Sequence, residues 1–325
     1  MPVRPLPLFL VLGLLALASL VVAVAAGSVS IPFGEVVPAL QGDGPALHVN
    51  IVRELRLPRA LAAFAAGGLL ALSGALLQVL LRNPLADPYI LGVSGGAAVG
   101  ALATMLTGLA GLFLPVGAFA GALLSTLLVF GLAHGSGRWT PTRLLLTGVV
   151  VAAAWGAVIN LLLAVAPDRD LRGMVFWLMG DLSHARHVGA ALAVLGLGLL
   201  ACLPAARSLN LLARGELVAG SLGVSAPPLR LFVYFMASLM TAVAVTLGGS
   251  IGFVGLVAPH ILRLAGAGDH RLLLPAAVLF GGTLLVLADT LARTAVAPQQ
   301  LPVGVLTALL GAPLFLYLLQ RGYRS

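Results

Sequence analysis

"LRLPRALAAFAAGGLLALSGALLQVLLRNP", residues 55–84, is an apolar run with arginines at both ends. Between Arg59 and Arg82 it carries no charged side chain. An α-helix needs roughly 20 apolar residues to cross a hydrocarbon core about 30 Å thick, and this run is long enough. It therefore reads as a membrane-spanning helix. Its leading end holds Arg53, Arg56 and Arg59 within seven positions of a chain that is 9% charged, a concentration of charge that needs a reason.

The rest of the chain has the same character. It has 325 residues, 60% of them hydrophobic, and a mean hydropathy of +1.11. A soluble domain carries about 25% charged residues, so this chain could not cover its surface in water. Similar runs recur at 6–26, 57–81, 90–109, 112–134, 143–166, 189–204, 229–249, 252–264, 272–296 and 302–320. These predict an all-α integral membrane protein of about ten transmembrane helices in one domain, 1–325. The run at 252–264 is too short to cross alone and reads as a half-helix packed inside the bundle. The first run exceeds the h-region of a signal peptide, so it reads as an uncleaved first helix.

Three interruptions differ from the spans. Residues 27–50 suit a surface segment with a short amphipathic helix. Residues 167–187, "PDRDLRGMVFWLMGDLSHARH", mix charge with Phe176 and Trp177 as an interfacial helix does. Residues 205–230 form a polar connection with helical content. It is longer than two neighbouring spans need, which favours a docking element.

Ten spans put both termini on one side. With the termini inside, eleven arginines lie inside and seven outside, which agrees with the positive-inside rule. The opening cluster then faces outward, against that bias, and so reads as a contact for something acidic. Arg293, at the outer end of the ninth span, joins it. Asp289 and Arg293 have the spacing of an i,i+4 pair.

Net charge +8 reflects arginines flanking spans, not nucleic-acid binding. There are 18 basic residues, all arginine, so the chain has no P-loop lysine and is not a Walker-type ATPase by itself. "GGSIGFVG", 248–255, follows no strand and reads as a turn between helices rather than a nucleotide loop. Asp181, His184 and His187 could share a helical face as metal ligands; an interfacial solvated helix is the favoured reading. Cys202 has no partner and reads as an inert apolar residue.

Eight motifs run nearly end to end: "LRLPRALAAFAAGGLLALSGALLQ", "RNPLADPYILGVSGGAAVG", "RLLLTGVV", "FWLMGDL", "ELVAGSLGV", "GSIGFVGLVAPHILRLAGAGDHRLLLP", "LADTLAR" and "LPVGVLTALLGAPLFLYLL". On these the chain resembles the FecCD family, the permeases of bacterial ABC importers for iron chelates, haem and cobalamin. The resemblance implies a type II importer fold and a homodimer in the inner membrane, with the path between subunits and both termini cytoplasmic. It implies two cytoplasmic ATPase subunits that hold ATP and Mg²⁺, a periplasmic binding protein, surrounding lipid, and no cofactor, metal or catalytic residue on this chain. By position, Arg56, Arg59 and Arg293 match arginines that receive acidic residues of the binding protein, as a basic rim facing outward. Residues 213–224, within a coupling region of about 207–226, match the ATPase-coupling helices: Arg214, Gly215, Glu216, Leu217, Ala219, Leu222, Gly223 and Val224. Asn83, Leu85, Pro141 and Thr142 match cytoplasmic gate positions.

Three departures stand out. Arg214 replaces a usual Leu, Asp181 a usual Ser or Gly, and Gln300 a usual Glu. Two rival readings are weaker. An ion-gradient-driven secondary transporter needs ionisable residues inside the membrane path, and spans two to five have none in their interiors. An intramembrane enzyme would need catalytic groups that no motif supplies.

Overall fold

The computed structural model describes residues 4–27, 29, 31–135, 140–183 and 185–322; Arg138, His184 and Arg324 lie outside them. The described residues are helical, without strands. In chain order the helices are α1 (Pro5–Ala25), α2 (Phe33–Gln41), α3 (Ala46–Asn50), α4 (Leu57–Leu80), α5 (Val93–Leu106), α6 (Ala110–His134), α7 (Pro141–Val165) and α8 (Asp168–Leu178). They continue with α9 (Val188–Cys202), α10 (Ala206–Ala213), α11 (Glu216–Ser221), α12 (Ala226–Gly248), α13 (Val254–Leu264), α14 (His270–Thr294) and α15 (Val303–Gly322). Every apolar run read from the sequence coincides with one helix. Among the described residues, six helical stretches are long and apolar enough to cross a membrane, and a seventh is formed if α9 is joined to α10 across a 68° bend. The helices α5, α13 and α15 are shorter apolar pieces. α13 is the half-helix expected at 252–264, and its Val254–Pro259 segment is buried.

α4 is the central helix. It is buried almost throughout from Arg59 to Leu80 and packs against α14, α12, α13 and α9. Being apolar on every side, it has no face suited to water. Its closest neighbour is α14, and small residues are the cause: a Cβ on Gly67 would lie 2.2 Å from the Gly281 carbonyl oxygen, and one on Gly281 would lie 2.4 Å from the Ala71 Cβ. Backbone-to-backbone approach of this kind maximises van der Waals contact where lipid removes the hydrophobic drive between helices. Polar pins add direction. Ser73 donates to the Ala237 carbonyl of α12 at 2.8 Å, and Gln78 Nε2 donates to the Leu256 carbonyl of α13 at 3.2 Å. Cys202 is fully buried, as a small apolar side chain would be.

α4 does not begin abruptly. A π-helical segment, Ile51–Arg56, joins it to α3. Pro58 lacks an N–H and its ring crowds the carbonyl four residues earlier, so the regular ladder gives way to a wider one just before it. The surface segments match their expectations: α2 is short and amphipathic, and α8 is an amphipathic helix in which the Arg172 guanidinium lies 5.6 Å from the Phe176 ring centre.

A prediction follows from the α4–α14 contact. Gly67→Ala should lower the thermal unfolding temperature of the detergent-solubilised chain, since overpacking costs about 1–3 kcal/mol. Gly13→Ala, where an added Cβ meets nothing within 4 Å, should leave it unchanged. Differential scanning fluorimetry on the pair measures the contrast.

Candidate functional site

Two sites stand at opposite ends of the bundle. The first lies where α4 begins and α1 and α14 end. Arg56, Arg59 and Arg293 are 5%, 9% and 7% exposed. They are recessed rather than spread along an exposed rim, and with Gly27, Val29, Ile51, Leu55 and Gln300 they line a cavity of about 250 Å³. Arg53 is exposed beside them and outside the cavity lining.

Burial obliges each guanidinium to find acceptors. Arg59 grips Asp289 with a two-pronged contact, Nε to Oδ2 at 3.0 Å and Nη2 to Oδ1 at 2.8 Å, the geometry of a strong charge-assisted pair. Its Nη1 donates to Gln300 Oε1 at 2.7 Å. Arg293 donates from Nε to Oδ2 of the same carboxylate at 3.1 Å, the expected i,i+4 pair, and from Nη2 to the Ala23 carbonyl at 3.0 Å. Arg56 donates to the carbonyls of Val24 at 3.0 Å and Ala25 at 2.6 Å, and to that of Val29. The first two of these carbonyls close the C-terminus of α1, where unpaired acceptors and the negative end of the helix dipole favour a cation. Two of the three arginines thus share one aspartate while Arg56 meets only carbonyls, and the four side chains together carry a net charge of +2. Gln300 preserves that excess, because a glutamate there would pair with Arg59.

The second site lies at the other end, where α4 stops and α14 starts. The stretch matched to the ATPase-coupling positions is two helices. α10 ends at Ala213, Gly215 turns the chain at φ 117°, and α11 follows. α11 closes with Gly223 at φ 81°; its N–H reaches the Gly220 carbonyl at 3.1 Å, and the Val224 N–H reaches Ala219 at 2.9 Å. That is a Schellman turn, and the left-handed residue in it is glycine for want of a Cβ. Ala219 faces inward, while Leu217, at 92% exposure, Val218 and Leu222 project outward beside exposed Arg214.

Glu216 anchors this helix. It accepts Arg230 Nη1 of α12 at 2.8 Å and pairs with Arg82 Nη2 at 3.7 Å. Arg82 is the residue after the last turn of α4, where a second Schellman turn forms: the Arg82 N–H bonds to Val79 and the Asn83 N–H to Gln78. Arg82 occupies its left-handed position at φ 47°, which costs a side-chain-bearing residue roughly 1–2 kcal/mol.

A cavity of about 700 Å³ brings Arg82, Pro141, Thr142, Arg214, Gly215, Glu216, Leu217 and Arg230 together. The two matched gate positions at the start of α7 therefore share one recess with α11. Asn83 and Leu85 stand apart from it. Asn83 Oδ1 caps the Leu85 N–H at 2.9 Å, and Leu85 packs against the cluster of Leu256, Val257 and Phe315. No sequence signal marks the partners of Arg82 and Arg230 or the sharing of Asp289 with Arg59. Nothing in their spacing signals contacts made across 134, 14 and 230 positions.

Of the possible metal ligands, Asp181 accepts the Ser183 N–H at 2.8 Å and His187 precedes α9, with His184 outside the described residues. Among the described residues no group of three His, Cys, Asp or Glu side chains is placed to hold a metal ion.

Comparison with known proteins agrees with this architecture. A cobalamin import system permease protein, BtuC, of Halobacterium salinarum is 46% identical over 86% of this chain and 76% of its own length. A hemin transport system permease protein, HmuU, of Yersinia pestis is 43% identical over 85% of each chain. A solved structure described as an inward-facing conformation of a metal-chelate type ABC transporter superposes with a TM-score of 0.85 at 32% identity, covering 98% of this chain and 99% of the other. The profile of the FecCD transport family matches residues 14–321. The chain belongs to the FecCD transport family.

Proposed function

We propose that this chain is the membrane-spanning, non-catalytic subunit of a type II ABC importer for a bulky metal–ligand complex of the cobalamin, haem or ferric-siderophore class. It works as a homodimer in the cytoplasmic membrane with both termini inside. Two cytoplasmic ATPase subunits supply the ATP and Mg²⁺ chemistry, since a chain without lysine has no P-loop lysine of its own. The cobalamin and hemin permeases among its relatives support the substrate class.

One observation carries the reading. α11 presents Leu217, Val218 and Leu222 outward among charged residues, at the end of the bundle opposite the arginine pocket. An apolar strip on a short polar connection calls for a protein partner. At the other end, the uncompensated charge of Arg56, Arg59 and Arg293 suits acidic side chains of a substrate-delivering protein. Buried interfacial charge pairs of this type couple by about 1.5 kcal/mol or more. ATPase subunits that bind the inward- and outward-facing states with different affinity would then shift the gates, as any ligand-driven change requires.

Two experiments test the two ends. Arg56→Gln with Arg59→Gln should weaken binding-protein affinity in nanodiscs by at least about tenfold at low salt, with ATPase association kept; unchanged affinity would remove the pocket from docking. Leu217→Arg with Leu222→Arg should abolish co-purification of the ATPase and leave the thermal unfolding temperature as it was. Retained co-purification would contradict the assignment of α11.

A further inference from the structure

Arg82 poses a question that neither docking nor substrate class answers. It stands where a helix ending of this kind takes glycine, at φ 47°, and it is not needed to satisfy the backbone: the Schellman bonds of Val79 and Gln78 would form with any residue in that conformation. An arginine in a strained conformation points to something its side chain does. Its guanidinium reaches Glu216 on α11 at 3.7 Å.

The same helix has a second end. Arg59, in its first turn, holds Asp289 of α14, and α14 lies against α4 at the Gly67–Gly281 contact. α14 in turn is fastened to the coupling region. Asn210 of α10 donates to Asp269 Oδ1 at 2.8 Å and accepts the His270 N–H at 3.0 Å. The Asn210 hydrogen bond, together with the Arg271 N–H, holds the Asp269 carboxyl below its ordinary pKa. At about 1.5 Å per residue, α4 and α14 each span the distance between the two sites, and both ends of each are tied to one of them.

Resting on the importer reading above, we propose that Arg82 is a positioning residue, held in the left-handed conformation at the end of α4 so that its guanidinium fixes the coupling helix through Glu216. α4, braced by α14, is then the rod through which occupancy of the outer arginine pocket reaches the ATPase. Arg230 seats Glu216 on α12, and Arg82 adds the link to α4. The rod is a contiguous packed path, and its claim is a coupling between two sites.

Arg82→Gly separates this role from a structural one, because glycine relieves the backbone conformation and keeps the Schellman turn. The complex of permease, ATPase and binding protein is reconstituted in nanodiscs, and ATP hydrolysis is measured with and without binding protein. Arg82→Gly should keep the unfolding temperature and the amount of ATPase that co-purifies, while the ratio of stimulated to basal rate falls about two- to fivefold, the range open to a half-exposed ion pair. Arg82→Lys should recover most of the stimulation. Wild-type stimulation in Arg82→Gly overturns the proposal, and so does a parallel fall in co-purified ATPase and unfolding temperature, which would mark a role in the fold alone. A wild-type complex that the binding protein does not stimulate would contradict the importer reading itself.

Discussion

The close approach of α4 to α14 is the constraint on which the rest of this structure depends. A Cβ at Gly67 would sit 2.2 Å from a backbone oxygen of Gly281, so the two helices touch backbone to backbone near their middle. From that contact they run together to both ends of the bundle. At one end it sets Asp289 against Arg59. At the other, the end of α4 and the start of α14 stand beside α10 and α11. The sites at opposite ends are made by the same two helices, so a larger residue at the seam would disturb both.

Charge explains why the arginines need α1 and α14 as well as α4. A buried guanidinium without acceptors is costly, and one aspartate cannot satisfy three. Arg56 instead uses the last carbonyls of α1, and Arg293 divides its donors between Asp289 and Ala23. The result is a preformed pocket, its side chains fixed before any partner arrives, with positive charge left over. Preorganisation lowers the ordering cost of association. The glutamine at 300 adds to the effect, since it supplies an acceptor for Arg59 without neutralising it.

Much of this was legible in the sequence. All ten apolar runs became helices, and the shortness of 252–264 announced a buried half-helix because length alone excludes a crossing. The i,i+4 spacing of Asp289 and Arg293 announced their pair. What the sequence withheld has a common physical cause: it concerns contacts between residues far apart in the chain. Nothing in the spacing of Arg56 and Arg59 reveals that one caps α1 and the other shares Asp289, and so an exposed rim was expected where a recess exists. The resemblance implies helices within about 207–226, but the break between them at the left-handed Gly215 has no periodicity to announce it. Asn83 and Leu85 were grouped with Pro141 and Thr142 as gate positions, yet they face different surroundings. Arg82 counted only as a topology charge, because a left-handed φ on an arginine has no sequence signature.

Under the proposed function, a pocket suited to acidic side chains at one end and a helix suited to an ATPase at the other make ATP hydrolysis by a partner the drive for inward movement of substrate through this chain. Uptake into proteoliposomes measures that claim most directly. The permease is reconstituted with its ATPase and binding protein, and cobalamin, haem or a ferric siderophore is supplied on the binding-protein side. Accumulation of one of these compounds that requires ATP and is indifferent to collapse of the proton and sodium gradients is the predicted result. Accumulation that proceeds without ATP and stops when those gradients are dissipated would contradict it.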